Sequence, residues 1–351
     1  MNNPNKTTEL LDMFQHPVFC VKDGLVTDRN NSQVLCELNP GTPVVDLLPH
    51  STEEYTAFTG GCLSITVVIN HIDYIATVLR TNDGDLFHLQ SLEESPELRI
   101  MSLAAQQLRN PLSEVMTAAE TLFATQDIAD RQQVGLINRG LSRLLREIGN
   151  MGAVSSYRAG RLYGKETKNI VSVINEIIEK AQALCNSTTQ RLCYTPMTQQ
   201  IYCPTDTEML ERAIYNLLSN AIKFSPADSI VNVRLTEGTD KLLLSVESQV
   251  TDADLTRGNL FMRYVRDASV EDGRYGLGLG IPITQCAAAA HNGALLMDYP
   301  AEDTVRFTMT LSTLSGRGPV LSSPFPAFDY MGGLDHALVE LSDILPSSAF
   351  E

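Results

Sequence analysis

No stretch of this chain is apolar for the roughly 18 residues that a bilayer span needs, and the N-terminus from Met1 to Leu10 is polar, without a signal-peptide core. The expectation is a soluble, cytoplasmic protein with no membrane partner. Positive charge is scarce as well. Lys and Arg number 26 against 42 Asp and Glu, a net charge of -16, and no Lys/Arg-rich run stands out. Such a field repels phosphate backbones and anionic lipid, which removes nucleic acid from the candidate partners. The seven cysteines, at 20, 36, 62, 185, 193, 203 and 286, are odd in number, scattered and without a Cys-x-x-Cys pair. They read as reduced packing thiols rather than zinc ligands. Histidine is missing altogether between His88 and His291, and His16, His50, His71 and His88 are isolated, so each reads as a surface or packing residue. What is present, 351 residues with 43% hydrophobic and 19% charged, is an ordinary globular composition with room for two or three domains.

Hydrophobic periodicity divides the chain. Over residues 1–92 short β-type runs alternate with turn signals: Pro17 to Val21, a turn at Asp23-Gly24, Leu25 to Thr27, then Cys62 to Ile69, His71 to Leu79, a turn at Asn82 to Asp85, and Leu86 to Leu89. With helical segments between the early strands and the long pair, this is a small α+β domain closed by an antiparallel meander. Over residues 93–162 the period becomes helical. One stripe runs through Leu98, Met101, Ala105, Leu108, Leu112, Val115, Ala119 and Leu122, and a second through Val134, Ile137, Leu141, Leu144, Ile148 and Met151. Two sustained seams predict an antiparallel helical hairpin, and pairing with a second copy into a four-helix bundle covers both, so a homodimer is expected.

Residues 165–314 read as α/β. Helices are predicted at Ile170 to Asn186, Thr207 to Phe224 and Gly280 to His291. Strands are predicted at Arg191 to Thr195, Gln200 to Cys203, Ile230 to Leu235, Lys241 to Val246, Ala294 to Asp298 and Val305 to Leu311. Residues 315–351 are a Pro/Gly/Ser-rich linker followed by a short helix with Leu334, Leu338, Leu341, Ile344 and Leu345 on one side, able to dock on the body or on a partner.

Within the third segment the helix carries Asn216, Asn220, Lys223 and Phe224 in the run Asn-Leu-Leu-Ser-Asn-Ala-Ile-Lys-Phe. Asn216 and Asn220 are four apart and share a face, and Lys223 follows one turn on. Amide oxygens suit a hard Mg2+ that bridges phosphates, and a lysine supplies phosphate charge. Some 55 residues later comes Gly276-Leu277-Gly278-Leu279-Gly280, glycines that let a backbone approach phosphates at a helix N-terminus. The hairpin holds Gln106-Gln107-Leu108-Arg109-Asn110-Pro111-Leu112.

Together these motifs resemble the two-component sensor histidine kinase family. The hairpin run resembles its phosphoacceptor motif, His-Glu-Leu-Arg-Thr/Asn-Pro-Leu. The helix run resembles the N-box of the histidine-kinase and gyrase-type ATPases, and the glycine run resembles the end of the ATP lid, followed by His291-Asn292-Gly293 where the family has His-Gly-Gly. Residues 1–92 resemble, in layout, the family's PAS sensor domains, without a flavin or haem signature. The resemblance implies a multidomain α+β protein: a PAS-like α/β sensor, a hairpin forming a dimeric four-helix bundle, and an α/β-sandwich Bergerat-type ATP-binding domain. It implies ATP and Mg2+ as cofactors, with Asn220 as metal ligand, Asn216 and Lys223 on the phosphates, and Phe224 beside the base. A response regulator or receiver domain is the implied partner.

Two departures stand out. Gln106 replaces the phosphoacceptor histidine, and a side-chain amide lacks the imidazole nitrogen that such phosphotransfer uses as nucleophile. Where the family has Asp-x-Gly-x-Gly, the chain reads Val246-Glu-Ser248-Gln-Val-Thr-Asp252-Ala-Asp254, without a glycine between Gly238 and Gly258. Strand alternation puts Ser248 at the place of the adenine-binding aspartate. Losing that charge-assisted contact costs roughly 1.5 to 3 kcal/mol, ten- to a hundredfold in affinity. The expectation is a pseudokinase that binds nucleotide weakly or not at all and signals by dimerisation and partner docking. The alternatives are an ATP-dependent kinase acting in trans, or a response-regulator phosphatase in which Asn110, on the same face as Gln106, orients a water.

Overall fold

The computed structural model describes residues 11–14, 16–91, 128–158, 165–250, 279–314 and 335–351, together with Leu108, Leu112 and Val115. Gln106, Asn110, Asp252, Asp254, Gly276, Leu277 and Gly278 lie outside them.

The N-terminal part contains β1 (Val18–Lys22), β2 (Leu25–Arg29), helix α1 (Thr52–Ala57), β3 (Cys62–Ile69), β4 (Ile72–Thr81) and β5 (Gly84–Ser91). β1 and β2 turn at Asp23 and Gly24, both at positive φ (53° and 77°), the conformation whose twist matches a hairpin. Its core is a cluster around Phe19, Leu35, Leu63, Ile65 and Phe87, with the rings of Phe19 and Phe87 stacked at 4.7 Å. Cys62 to Ile69 forms a strand over the residues its β-branched run predicts.

The C-terminal part contains β6 (Glu166–Asn169), α3 (Ile170–Cys185), β7 (Arg191–Tyr194), β8 (Tyr202–Thr205), α4 (Thr207–Phe224), β9 (Ile230–Glu237), β10 (Lys241–Gln249), α5 (Gly280–Ala290), β11 (Leu295–Ala301) and β12 (Thr304–Ser312). Helices α3, α4 and α5 pack on one face of the sheet, where Ile174, Leu210, Ile214, Leu244, Val246 and Met309 form the main core. β10 alternates strictly, with Leu242, Leu244, Val246 and Ser248 buried under the helices and Ser245 and Glu247 turned the other way. The sequence reading missed β6, a four-residue strand of Glu-Thr-Lys-Asn that pairs with β8 in a small separate sheet. It has no apolar alternation; the partner strand holds it.

The two parts share one sheet of ten strands in the order β2-β1-β5-β4-β3-β11-β12-β10-β9-β7. The junction is β3 against β11, with Leu295, Leu296 and Met297 opposite Ser64, Leu63 and Cys62. The cores interleave there too: Cys62 and Ile75 belong to the main core, and Ala294 to the N-terminal one.

Between them runs α2 (Ile128–Arg158), the helix over the second predicted stripe. Its stripe does not behave as one seam in a single copy. Val134 and Ile148 are buried, but Ile137 (44%) and Leu144 (53%) are exposed, as are Leu108 and Val115 of the first predicted stripe. The burial of α2 falls instead on Asn138, Ser142, Leu145 and Arg146. The tail helix α6 (His336–Glu340) and a 3-10 turn, Ser347–Phe350, cover that face. No described helix is long and apolar enough to cross a membrane.

Candidate functional site at the polar face of helix α4

Helix α4 starts at Asp206, whose side chain caps it by accepting from the Met209 amide (3.0 Å), and carries Glu208 in its first turn and Lys223 in its last, both favourable to the helix dipole. The cap is held from behind by His291, whose Nε2 accepts from the Asp206 amide (3.1 Å) while Nδ1 lies 2.8 Å from the Ala287 carbonyl. That geometry requires a neutral ring with its proton on Nδ1, and burial lowers its pKa to about 4. Asp206 is itself pushed up to about 6, burial being the main cause. Gly293 follows because a Cβ there would lie 1.7 Å from the Thr310 carbonyl. His291-Asn292-Gly293 thus fixes where α4 begins.

One side of α4 is apolar and faces the sheet. The other carries Arg212, Asn216, Ser219 and Lys223, whose spacing of four, three and four aligns them in a stripe. Asn216 is buried, with its Nδ2 donating to the Arg212 carbonyl (2.8 Å) and its Oδ1 accepting from Arg146 Nη2 of α2 (3.1 Å). Gly280, at the start of α5, touches the same amide, and a Cβ there would come within 2.8 Å of Asn216 Oδ1. Leu279 is the residue before that start and packs against Ile283 and Ala153.

The remaining partners come from the tail. Asp343 accepts from Ser219 Oγ (2.8 Å) and Lys223 Nζ (3.3 Å) and lies 2.8 Å from Arg146 Nη1. Glu340 pairs with Arg212 Nη1 (2.7 Å) and lies 3.7 Å from Arg146 Nε. His336 adds a contact from its Nδ1 to Glu211 (2.9 Å). Burial works against the charge on Asp343, but Arg146 and Lys223 outweigh it and hold the carboxyl below its usual range. The same balance, burial opposed by Asp343 and Glu340, leaves Arg146 raised. A cleft of about 420 Å³ opens beside this cluster, lined by Arg143, Arg146, Glu147, Lys223 and Asp343 among others.

Of the residues singled out in the sequence, Asn216 and Lys223 sit in this stripe, while Asn220 and Phe224 are half-buried on its flank. Ser248 lies on the helix-facing side of β10, near the C-terminal end of α4, where Ser225 Oγ bonds the Gln249 carbonyl (3.1 Å). Glu247 faces the other way, toward Arg306 (3.8 Å). Sequence reasoning missed Arg146, Ser219, Glu340 and Asp343. Arg146 falls between seam positions and the tail carries attention to its leucines; only the acid pair at 340 and 343, three apart on the tail's inner side, was there to be noticed.

A match to the family described as histidine kinase-, DNA gyrase B- and HSP90-like ATPase covers residues 205–314, the segment from the cap of α4 through β12. The signal transduction histidine-protein kinase/phosphatase MprB of a Mycobacterium species (strain KMS) is 30% identical over 232 residues, 62% of this chain and 42% of that protein. Residues 205–314 belong to that ATPase family, and the chain is a homologue of two-component sensor histidine kinases. Another relative, the sensor protein KdpD of Clostridium acetobutylicum, is 26% identical over 196 residues, 54% of this chain and 21% of that one. The chain spans less than half the length of these curated relatives. Among solved structures, full-length ShkA in complex with AMPPNP aligns over 62% of this chain and 47% of its own, at TM-score 0.47 and 18% identity.

ATP with Mg2+ is the ligand pair the ATPase family implies. In the arrangement described here the N-box stripe does not fit it. Asn216 has both ends of its amide committed and Lys223 is paired with Asp343, so the two side chains that the resemblance puts on the phosphates already face protein.

Proposed function

We propose that this chain is a signalling member of the sensor histidine kinase family that does not phosphorylate its own hairpin, binds nucleotide weakly or not at all, and signals by dimerisation and docking of a receiver-domain partner. One observation carries this: between His88 and His291 the chain has no histidine, so the hairpin offers no imidazole at or near Gln106. The committed N-box stripe and Ser248 at the adenine-side strand point the same way. Dimerisation is supported by the exposed residues Leu108, Val115, Ile137 and Leu144, apolar side chains at seam positions of both hairpin helices. The five antiparallel strands and short helices of the N-terminal part support a PAS-like sensor role for it.

Calorimetry with ADP and ATP, with and without Mg2+, tests the nucleotide clause; the expected result is no binding below millimolar concentration, and a micromolar dissociation constant for the intact chain sinks it. Any binding that is seen should disappear in Asn220→Ala. Incubation with γ-labelled ATP should leave the purified protein unlabelled. A second reading, phosphatase activity toward a phosphorylated receiver domain, draws on Asn110, four residues beyond Gln106 and on the same helix face. Dephosphorylation of an acyl-phosphate-loaded receiver, lost in Asn110→Ala, is its test.

A further inference from the structure

The misfit at the N-box points beyond weak binding to its cause. We infer that residues 335–351 form a reversible intramolecular plug, in which the carboxylates of Asp343 and Glu340 take the cationic contacts that nucleotide phosphates would otherwise make on α4. This rests on the reading that the intact chain binds nucleotide weakly.

Three features of the tail argue for it. First, its anionic groups are aimed. Asp343 has both oxygens engaged by a lysine, an arginine and a hydroxyl, the donor set that charge-assisted recognition of phosphate uses. Glu340, fully buried, takes Arg212, two turns further up the same stripe. With the tail lifted, Arg146 and Lys223 lose these carboxylates beside an existing cleft, while Arg212 keeps Glu208 of its own helix (3.3 Å).

Second, the tail is a separate segment that is built to dock. It joins the main core through Ala337, Leu341, Leu345 and Phe350, all buried. Its end presses so closely on α2 that a Cβ on Gly135 would lie 2.5 Å from the Ser347 carbonyl. Asn138 donates to the Phe350 carbonyl (3.2 Å), and Arg139 donates to the carbonyls of Ser342 and Asp343 (both 3.3 Å).

Third, the docked tail bridges two domains. The same carboxylates that face α4 also hold Arg146 of the hairpin helix, so one segment both fills the N-box and pins α2 against it. Release of the tail would free Lys223 and the hairpin together.

The test is a titration of a fluorescent ATP analogue with Mg2+ into three proteins: the full chain, Asp343→Asn with Glu340→Gln, and a chain ending at residue 334. A fourth, Gly135→Val, lifts the end of the tail without touching α4 and keeps the test decisive if the truncated chain fails to fold, which circular dichroism reports. The expected result is binding at least tenfold tighter in the altered proteins, reversed in the truncated chain by a peptide of residues 335–351 and unaffected by the same peptide carrying Asn and Gln at 343 and 340. Equal constants throughout, including undetectable binding throughout, overturn the plug. Tight binding by the unaltered chain overturns instead the weak-binding reading on which it rests.

Discussion

His291 shows how one side chain can decide a site it does not belong to. Its neutral ring joins the cap of α4 to the end of α5, so protonation must break the contact to the Asp206 amide. The sign follows from the lowered value of about 4. Between the ordinary pKa of about 6.5 and that value the unfolded chain binds the proton and the folded chain resists it, so the contribution is intact above about 6.5 and is lost as pH falls toward 4. Its size is at most about 3 kcal/mol at 1.36 kcal/mol per unit. His88, half-buried and likewise lowered to about 4 by desolvation, acts in the same direction. Asp206, raised to about 6, acts in the opposite one over the range from about 4 to 6, because there the folded chain holds the extra proton. With two groups against one, urea midpoints should fall from pH 7 to pH 5, and His291→Gln should flatten that dependence. A midpoint as steeply pH-dependent in the variant would exclude His291 as a source. At Gly293 the constraint is steric. Gly293→Ala places a methyl group 1.7 Å from a carbonyl oxygen, and a loss of about 3 kcal/mol, the upper range for overpacking, should appear in chemical denaturation.

Helix α2 has two unlike faces. Its inner face, with Asn138, Ser142, Leu145 and Arg146, packs against the tail and α4; its outer face presents Ile137 and Leu144. Ile137→Asp with Leu144→Asp should therefore leave the fold of one copy intact and weaken self-association at least tenfold, since each buried apolar side chain is worth roughly 1.5 to 3 kcal/mol. Sedimentation at several concentrations measures this, and an unchanged dimer would place the interface elsewhere. On the inner face, Glu340→Gln removes the buried carboxylate that ties the tail to Arg212 and Arg146, while Arg212 keeps Glu208 (3.3 Å). Amide exchange across residues 337–350 should therefore accelerate while that of α3 does not.

At the scale of the whole molecule, the ten-stranded sheet makes the N-terminal part and the ATPase part mechanically continuous. Beyond the β3–β11 pairing, Glu54 of α1 bonds both Lys241 and Thr310 Oγ1, and Lys241 also reaches the His50 carbonyl (3.1 Å), so β10 and β12 both register on the N-terminal part. Gly61 permits the crossing: at φ 90° a Cβ would lie 2.2 Å from the Met297 carbonyl. Gly61→Val should expose the amides of Leu295 to Met297 to exchange while Phe19 and Phe87 keep their protection. Equal loss in both parts would mean that the junction is not a separable interface.

The sequence by itself determined the elements and the family. The run from Asn216 to Phe224 fell on a helix, Cys62 to Ile69 on a strand and Ser248 on the helix-facing side of β10, because periods of 3.6 and 2 are written locally and a buried face must be apolar. It also determined that Gln106 is not histidine. Tertiary structure decided what those elements meet. β6 is a strand only because β8 pairs with it, and the sheet runs through the domain boundary only because β11 offers an edge to β3. The N-box stripe faces Asp343 and Glu340, more than 100 residues away in the chain, and Arg146, some 70 away. Ion pairs of that separation carry no periodic signal: a charged residue's partner is chosen by which surfaces the fold brings into contact, and only the folded chain fixes that.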